Sequence, residues 1–292
     1  MININQYRKN IEVLTAATTN KGFVAAVTNT ANYKRVWARD GAISCIAAIM
    51  SGDEQLLITA KKTIQTLFNN QHENGFIPSN VCVKDNEDVS YGGLVGRVDN
   101  NSWAIIALCL YTLHTNDNSL KLKYKSKLEK CFQVLNIWEF NAKHLIYQPQ
   151  SGDWADEYIH HGYILFNQLL RVWALQLAFK VFGNEVFKEK SDSILEVVRN
   201  NFWFDKKQVN KLYHQNLYKS FDKVESKYWL MGFNPSRVYE YFDLQANALA
   251  LLLNIGTPIQ NKSTIDFVQH LFDSKDRKST RLNSSHTDIS RM

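Results

Sequence analysis

The chain has 292 residues, 45% of them apolar, enough for one large domain or two ordinary ones around a sizeable core. Its net charge of +6 is spread over helix faces, as in KLKYKSKLEK (Lys121–Lys130), which is the pattern of a solvated surface rather than of a nucleic-acid partner. MININQYRKN lacks the apolar stretch of a secretory signal, and Tyr163–Phe182 is interrupted by Asn167, Gln168, Arg171, Gln176 and Lys180, so a soluble, cytoplasmic protein without membrane contact is expected.

In chain order, an opening helix is predicted over Ile4–Ala16. Four helical hairpins follow it. Each has an apolar helix, a short polar turn and an amphipathic helix. The first is Gly41–Met50, SGDE and Gln55–Asn69. The second is Asn101–His114, TNDN and Ser119–Leu135. The third is Gly162–Phe182, GN and Glu185–Phe202. The fourth is Leu244–Ile255, GTPIQN and Lys262–Phe272. The first helix of each pair, such as SWAIIALCLYTL, is apolar nearly all round and belongs inside; the second carries one stripe and belongs outside. The expected fold is therefore all-α: concentric inner and outer helices in a repeat architecture. Cys45, Cys82, Cys109 and Cys131 form no CxxC pair and are expected to be free, buried thiols.

The links between hairpins are long: about Gln71–Val98, Asn136–Ile159 and Trp203–Tyr241. They are rich in Trp, Tyr, Gly, Asn and acids, with strand-like pieces in LIYQP and KYWLM. Aromatic-rich loops of this length are expected to be ordered and functional.

Three clusters precede inner helices. YKRVWARDG carries Trp37, Arg39 and Asp40. YGGLVGRVDNNSW carries Tyr91, Arg97, Asp99, Asn100 and Trp103. QSGDWADEY carries Asp153, Trp154, Asp156 and Glu157. Carboxylates and arginines bind sugar hydroxyls, and aromatic faces cover the C–H side of a sugar ring. Glycosidic cleavage adds the need for one protonated and one ionised carboxyl. The plainer alternatives are that Asp40 and Asp99 are helix N-caps, that Arg39 and Arg97 are structural ion-pair partners, and that Trp103 is core. His160 and His161 are adjacent and do not share a helix face, so no metal is assigned. There is no phosphate-binding glycine loop, no nucleophile elbow and no Cys–His constellation; no cofactor is implied.

At WARD, GRVDNNSW and DWADEYIHHGYILFNQ the sequence resembles the six-hairpin, (α/α)6-barrel glycosidases, among them glucoamylases, glycogen-debranching glucosidases and neutral invertases. The resemblance covers roughly Lys34–Gly256. It implies an incomplete (α/α)6 toroid, with about nine of twelve helices, acting on an oligosaccharide by inversion. Arg39 and Asp40 take the hydroxyl-holding role of the Trp-x-Arg-Asp motif, and Trp37, Tyr91, Arg97, Asp99, Asn100, Trp103 and Trp154 are further substrate-binding candidates. It places the general acid on Asp156, with Asp153 and Glu157 as alternatives and Trp154 controlling the acid's environment. FDLQANALALLLNIGTP resembles the helix that precedes the base in these families. The motif that carries the base is absent. A non-catalytic module binding carbohydrate or protein is the alternative from another class, and a sugar epimerase is a third, for which only His114 is a candidate. The sugar, the linkage and the oligomeric state are left open.

DRKSTRLNSSH (Asp276–His286) resembles a translated sequencing-adapter read. On that reading 1–275 is a partial catalytic domain and 276–292 a non-native, disordered tail. Excluding the tail lowers Lys+Arg from 34 to 30 and Asp+Glu from 28 to 26, a net charge of +4. The 292-residue chain is then expected to be marginally stable, aggregation-prone and essentially inactive.

Overall fold

A computed structural model describes residues 4–28, 32–84, 88–155, 158, 160–204, 212–214, 217 and 226–274. The chain from 275 onward, including the adapter-like segment, lies outside the described residues. Among those described are nine helices: α1 (Ile4–Ala16), α2 (Ala38–Ser51), α3 (Glu54–Asn69), α4 (Asn100–Thr115), α5 (Asn118–Ile137), α6 (Leu165–Phe182), α7 (Glu185–Asn201), α8 (Leu244–Leu252) and α9 (Pro258–Asp273). The fold is all-α, with the four hairpins α2/α3, α4/α5, α6/α7 and α8/α9. The contacts divide into two compact units, Met1–Ile137 with Gln176–Glu185, and Trp138–Leu175 with Val186–Met292.

Each hairpin turns by the same device. The residue at or just after the end of the first helix takes a left-handed backbone: Gly52 (φ 68°), Asn116 (φ 56°), Gly183 (φ 66°) and Asn254 (φ 50°). Glycine and asparagine tolerate that conformation best, so they end the helix where its last carbonyls need new partners. A capping residue then opens the next helix. The Asp53 carboxylate accepts from Leu56 N–H, the Asp117 carboxylate accepts from Ser119 N–H, and Thr257 forms a reciprocal box with Gln260.

The expected contrast between paired helices holds in three of the four hairpins, among them α4/α5: in α4 Asn100–Cys109, Tyr111 and Thr112 are buried, whereas α5 buries the stripe Leu120, Tyr124, Leu128, Cys131, Phe132, Val134 and Leu135. It fails in the first, where α2 buries only Ala38, Gly41, Ala42, Cys45, Ala48 and Ile49, a stripe like that of its partner α3, and leaves Ile43 and Met50 exposed. In the first unit α2 packs against both α3 and α4. All four cysteines are free and buried. Burial pushes the Cys45 thiol up to about 12, the mark of an inert core residue.

Three small antiparallel sheets tie the loops to the helices: β1 (Thr18–Thr19) with β2 (Gly22–Phe23); β3 (Arg35–Trp37), β4 (Asn80–Cys82) and β5 (Val89–Ser90); and β6 (Tyr163–Ile164), β7 (Leu230–Phe233) and β8 (Val238–Phe242). KYWLM contributes to β7, but LIYQP makes only the single bridge Gln148↔Gly162. Two of the boundaries that differ from expectation have a local cause. The third inner helix starts at Leu165 rather than Gly162, because Tyr163 and Ile164 pair with Phe233 and Gly232. The last helix starts at Pro258 rather than Lys262, because Thr257 caps it and proline is favoured in the first turn.

Amide side chains near the starts of three inner helices clamp the loops. Asn101 of α4 accepts from Ile77 N–H at 2.9 Å and donates to Gly75 O. Gln168 of α6 accepts from Ile146 N–H and donates back to Ile146 O, both at 2.8 Å. Asn247 of α8 does the same to Trp229, at 2.9 and 3.0 Å. Each amide satisfies buried backbone groups that no neighbouring strand reaches, so irregular loops can pack without unpaired polar atoms.

Candidate active site

In the first unit, WARD spans the junction of β3 and α2. Trp37 ends the strand, stacks on Tyr33 (5.8 Å between ring centres) and donates from Nε1 to Asn32 O. Arg39 donates from Nε to the carboxylate of Asp99 at 2.7 Å. Asp99 occupies the N-cap position of α4, but its side chain does not cap the helix; it faces Arg39 instead. Asp40 is likewise no N-cap. It is exposed in the first turn of α2, whose N-cap is Trp37, and there it complements the helix dipole. Arg39, read as a possible ion-pair partner, is one. Asn100 is buried and donates to Ser79 Oγ at 3.1 Å. Trp103 is 7% exposed, as the core alternative expects. Tyr91 packs edge-on against His72 and donates its hydroxyl to Asn70 O at 2.7 Å.

In the second unit Asp153, which opens DWADE, hangs on a buried polar network. Asp153 is 1% exposed. One carboxylate oxygen accepts from Ala155 N–H at 2.9 Å and the other from Asn167 Nδ2 at 3.0 Å. His160 Nε2 lies 3.7 Å from the first oxygen. Asn167 also donates to the Gln148 side chain. Trp154 is half-buried and meets Phe166 in a T-shaped contact and Tyr158 at a tilt, both at 6.3 Å. Asp156 and Glu157 lie outside the described residues. Gly162 closes the turn. Its φ of 108°, and a Cβ position 2.5 Å from Phe233 O, leave no room for a side chain. Its N–H and C=O both pair with Gln148.

Sequence reasoning missed two buried charged groups. Asp243 caps α8 through Ala246 N–H at 3.0 Å. Burial first, and then the Asp153 charge, push its carboxyl up to about 6, against the pull of the helix amides and His160. Glu139 receives Arg171 and Lys190, each at 2.6 Å. Burial opposes its charge, but these two cations more than offset it and hold Glu139 below the ordinary carboxylate range. Arg171, fully buried and one of the polar interruptions of the Tyr163–Phe182 stretch, was the one legible signal of that cluster. Among the described residues no group of three or more His, Cys, Asp or Glu side chains is placed to hold a metal ion.

No family model matches the chain. It is 24% identical over 295 residues to probable alkaline/neutral invertase D of Arabidopsis thaliana, a match covering 83% of this chain and 55% of the relative. The chain thus spans about half the length of the curated relatives it matches. Among solved structures, a rhamnosidase from Klebsiella oxytoca with rhamnose bound superposes over 91% of this chain and 47% of its own, with a TM-score of 0.64 and 14% identity. An alpha-amylase from Clostridium perfringens superposes over 93% of this chain and 72% of its own, with a TM-score of 0.57 and 10% identity. These likenesses place the chain in a helical-hairpin fold that glycosidases use.

Proposed function

We propose that the protein is a glycoside hydrolase that cleaves an oligosaccharide, of α-glucoside or sucrose type, by inversion. The observation that carries this reading is the suspension of the DWADE turn. Asp153 is spent on Ala155, Asn167 and His160, and so acts as the anchor of the turn rather than as its proton donor. This supports the reading of Asp156, three residues further along, as the general acid, with Glu157 as the alternative donor. Trp154, half-buried beside this turn, lowers the local polarity and so favours a protonated carboxyl. The Arg39–Asp99 pair presents a charged, hydrogen-bonding surface of the kind that holds sugar hydroxyls, with Trp37 as an apolar face nearby in sequence. The low identity to invertases and the fold shared with a rhamnosidase and an alpha-amylase support the same class.

The test is Asp156→Asn in the full-length product of the gene, assayed on sucrose, maltose and isomaltose. Loss of the general acid lowers kcat by about 10²–10⁴-fold on an unactivated glycoside. Undiminished turnover removes Asp156 from that role. Saccharide binding with no hydrolysis by the parent protein favours a carbohydrate-binding module instead.

A further inference from the structure

A cavity of about 250 Å³ lies within the second unit and takes no part in the DWADE turn. Three rings wall it: Tyr163, Tyr213 and Phe233, with centres 4.7, 5.1 and 5.6 Å apart. Asn141 holds the two tyrosines, donating to Tyr163 Oη at 3.0 Å and accepting from Tyr213 Oη at 2.9 Å. Two cations, Lys143 and Arg237, stand at its exposed mouth. Each rests on an aromatic face: Lys143 5.6 Å from the centre of Tyr213, Arg237 4.8 Å from that of Tyr239. His214 adds a third nitrogen base, and no carboxylate is among the described lining residues.

We infer that this cavity is a binding site for a single anionic sugar unit, a phosphorylated or carboxylated monosaccharide. Its volume falls below the roughly 300–1,000 Å³ of pockets for drug-sized ligands, so it suits one ring rather than a chain. The aromatic walls match the C–H face of a pyranose. Asn141 and the tyrosine hydroxyls match its hydroxyl groups. The mouth supplies charge-assisted donors, the guanidinium as a planar fork and the ammonium as a point charge, and both favour phosphate or carboxylate. Asn234 connects the cavity to the catalytic turn's flank: its Oδ1 accepts from the Arg237 N–H at 2.9 Å and its Nδ2 lies 3.2 Å from His161 Nε2. The inference does not depend on the glycosidase reading, since a protein with no hydrolytic activity can still bind here.

Isothermal titration of the 292-residue chain with glucose 6-phosphate, glucuronate, glucose and inorganic phosphate tests it. At least one anionic sugar binds about tenfold or more tightly than glucose, as one charge-assisted contact allows; which one it is identifies the anion. Arg237→Gln and Lys143→Gln each weaken that binding by about tenfold. Arg237→Lys recovers part of the loss. Both side chains are exposed, so the variants keep the parent's circular dichroism and melting curve. Equal affinity for glucose and for both anionic sugars overturns the inference, as does unchanged binding in both glutamine variants. Phosphate binding as tight as that of glucose 6-phosphate overturns the assignment of the aromatic walls to a sugar.

Discussion

Arg39 and Asp99, sixty residues apart in sequence, meet at 2.7 Å and join the WARD motif to the start of α4. The Asp99 side chain has no solvent exposure, while Arg39 keeps a quarter of its own. The pair therefore connects two hairpins from inside and still presents a charged edge. A carboxylate so buried is tolerable only while its charge is answered.

Arg39→Met accordingly destabilises the protein by about 3 kcal/mol, because it leaves Asp99 charged without this partner. Adding Asp99→Leu returns part of that loss by removing the stranded charge. Urea unfolding of the two variants and the parent measures both steps. Equal losses in the single and double variants would show that Asp99 left without Arg39 costs the fold nothing.

Gln168→Leu removes both hydrogen bonds to Ile146 and leaves one buried N–H and one buried C=O without their clamp. Each orphaned group costs about 1–3 kcal/mol, so a loss near 3 kcal/mol is expected from nearly unchanged side-chain volume. Gln168→Glu keeps the acceptor for Ile146 N–H but faces the Ile146 carbonyl with a carboxylate, and restores little. Thermal melts of both variants check this, and a leucine variant as stable as the parent would mean that water or a rearranged loop replaces the clamp.

These two cases show what the sequence displayed and what it hid. Helices, their pairing and, except in α2, their inner or outer character follow from apolar periodicity, and SGDE or TNDN mark turns by residues with local conformational preferences. The start of α9 was also written locally, in Thr257, Pro258 and Gln260, but the string GTPIQN reads as a loop if glycine is weighted over the capping box. The clamps are different. Asn101, Gln168 and Asn247 are polar residues in apolar helices, visible as anomalies, yet their partners lie 24, 22 and 18 residues away. In the candidate site, the acid-rich turn and WARD stood out by composition. The hold on Asp153 did not, because its burial and its hydrogen bond from Asn167 exist only in the folded chain. Asp243 carried no such signal; its raised pKa depends on burial and on Asp153, which only the folded chain brings together.

The carboxyl of Asp243 rises from near 3.9 in the unfolded chain to about 6 in the folded one. The folded state therefore binds this proton more tightly. Its stabilising contribution is fully present below pH 4 and is lost as pH rises from about 4 through 6, a change on the order of 3 kcal/mol. The facing charged groups are Asp153 and His160, with the amides of Gln245 and Ala246 at the helix start. Asp243→Asn retains an N-cap acceptor but cannot titrate. Stability against pH, from chemical denaturation at fixed ionic strength, falls across this window in the parent and stays flatter in the variant. Parallel curves would mean that Asp243 is already ionised at pH 4.

Solubility is set at different positions. Most inner-helix side chains are covered, but Met50 at the end of α2 is 82% exposed and Leu252 at the end of α8 is 78% exposed. On α9, Ile259 is 81% and Phe272 77% exposed. Such side chains contribute little to the fold and offer apolar surface for association. Their places on the helices decide which charge each should carry. Met50, Leu252 and Phe272 are near C-termini, where lysine complements the dipole; Ile259 is in a first turn, where glutamate does. The combined variant Met50→Lys, Leu252→Lys, Ile259→Glu, Phe272→Lys is expected to keep the parent's melting temperature within about 2–4 °C, since surface changes of this kind are mostly worth under 0.5 kcal/mol each. Light scattering during heating and at high concentration should show later and weaker aggregation than in the parent. A cooperative loss of more than about 2 kcal/mol, well beyond that surface allowance, would show instead that another part of the protein covers these side chains in solution.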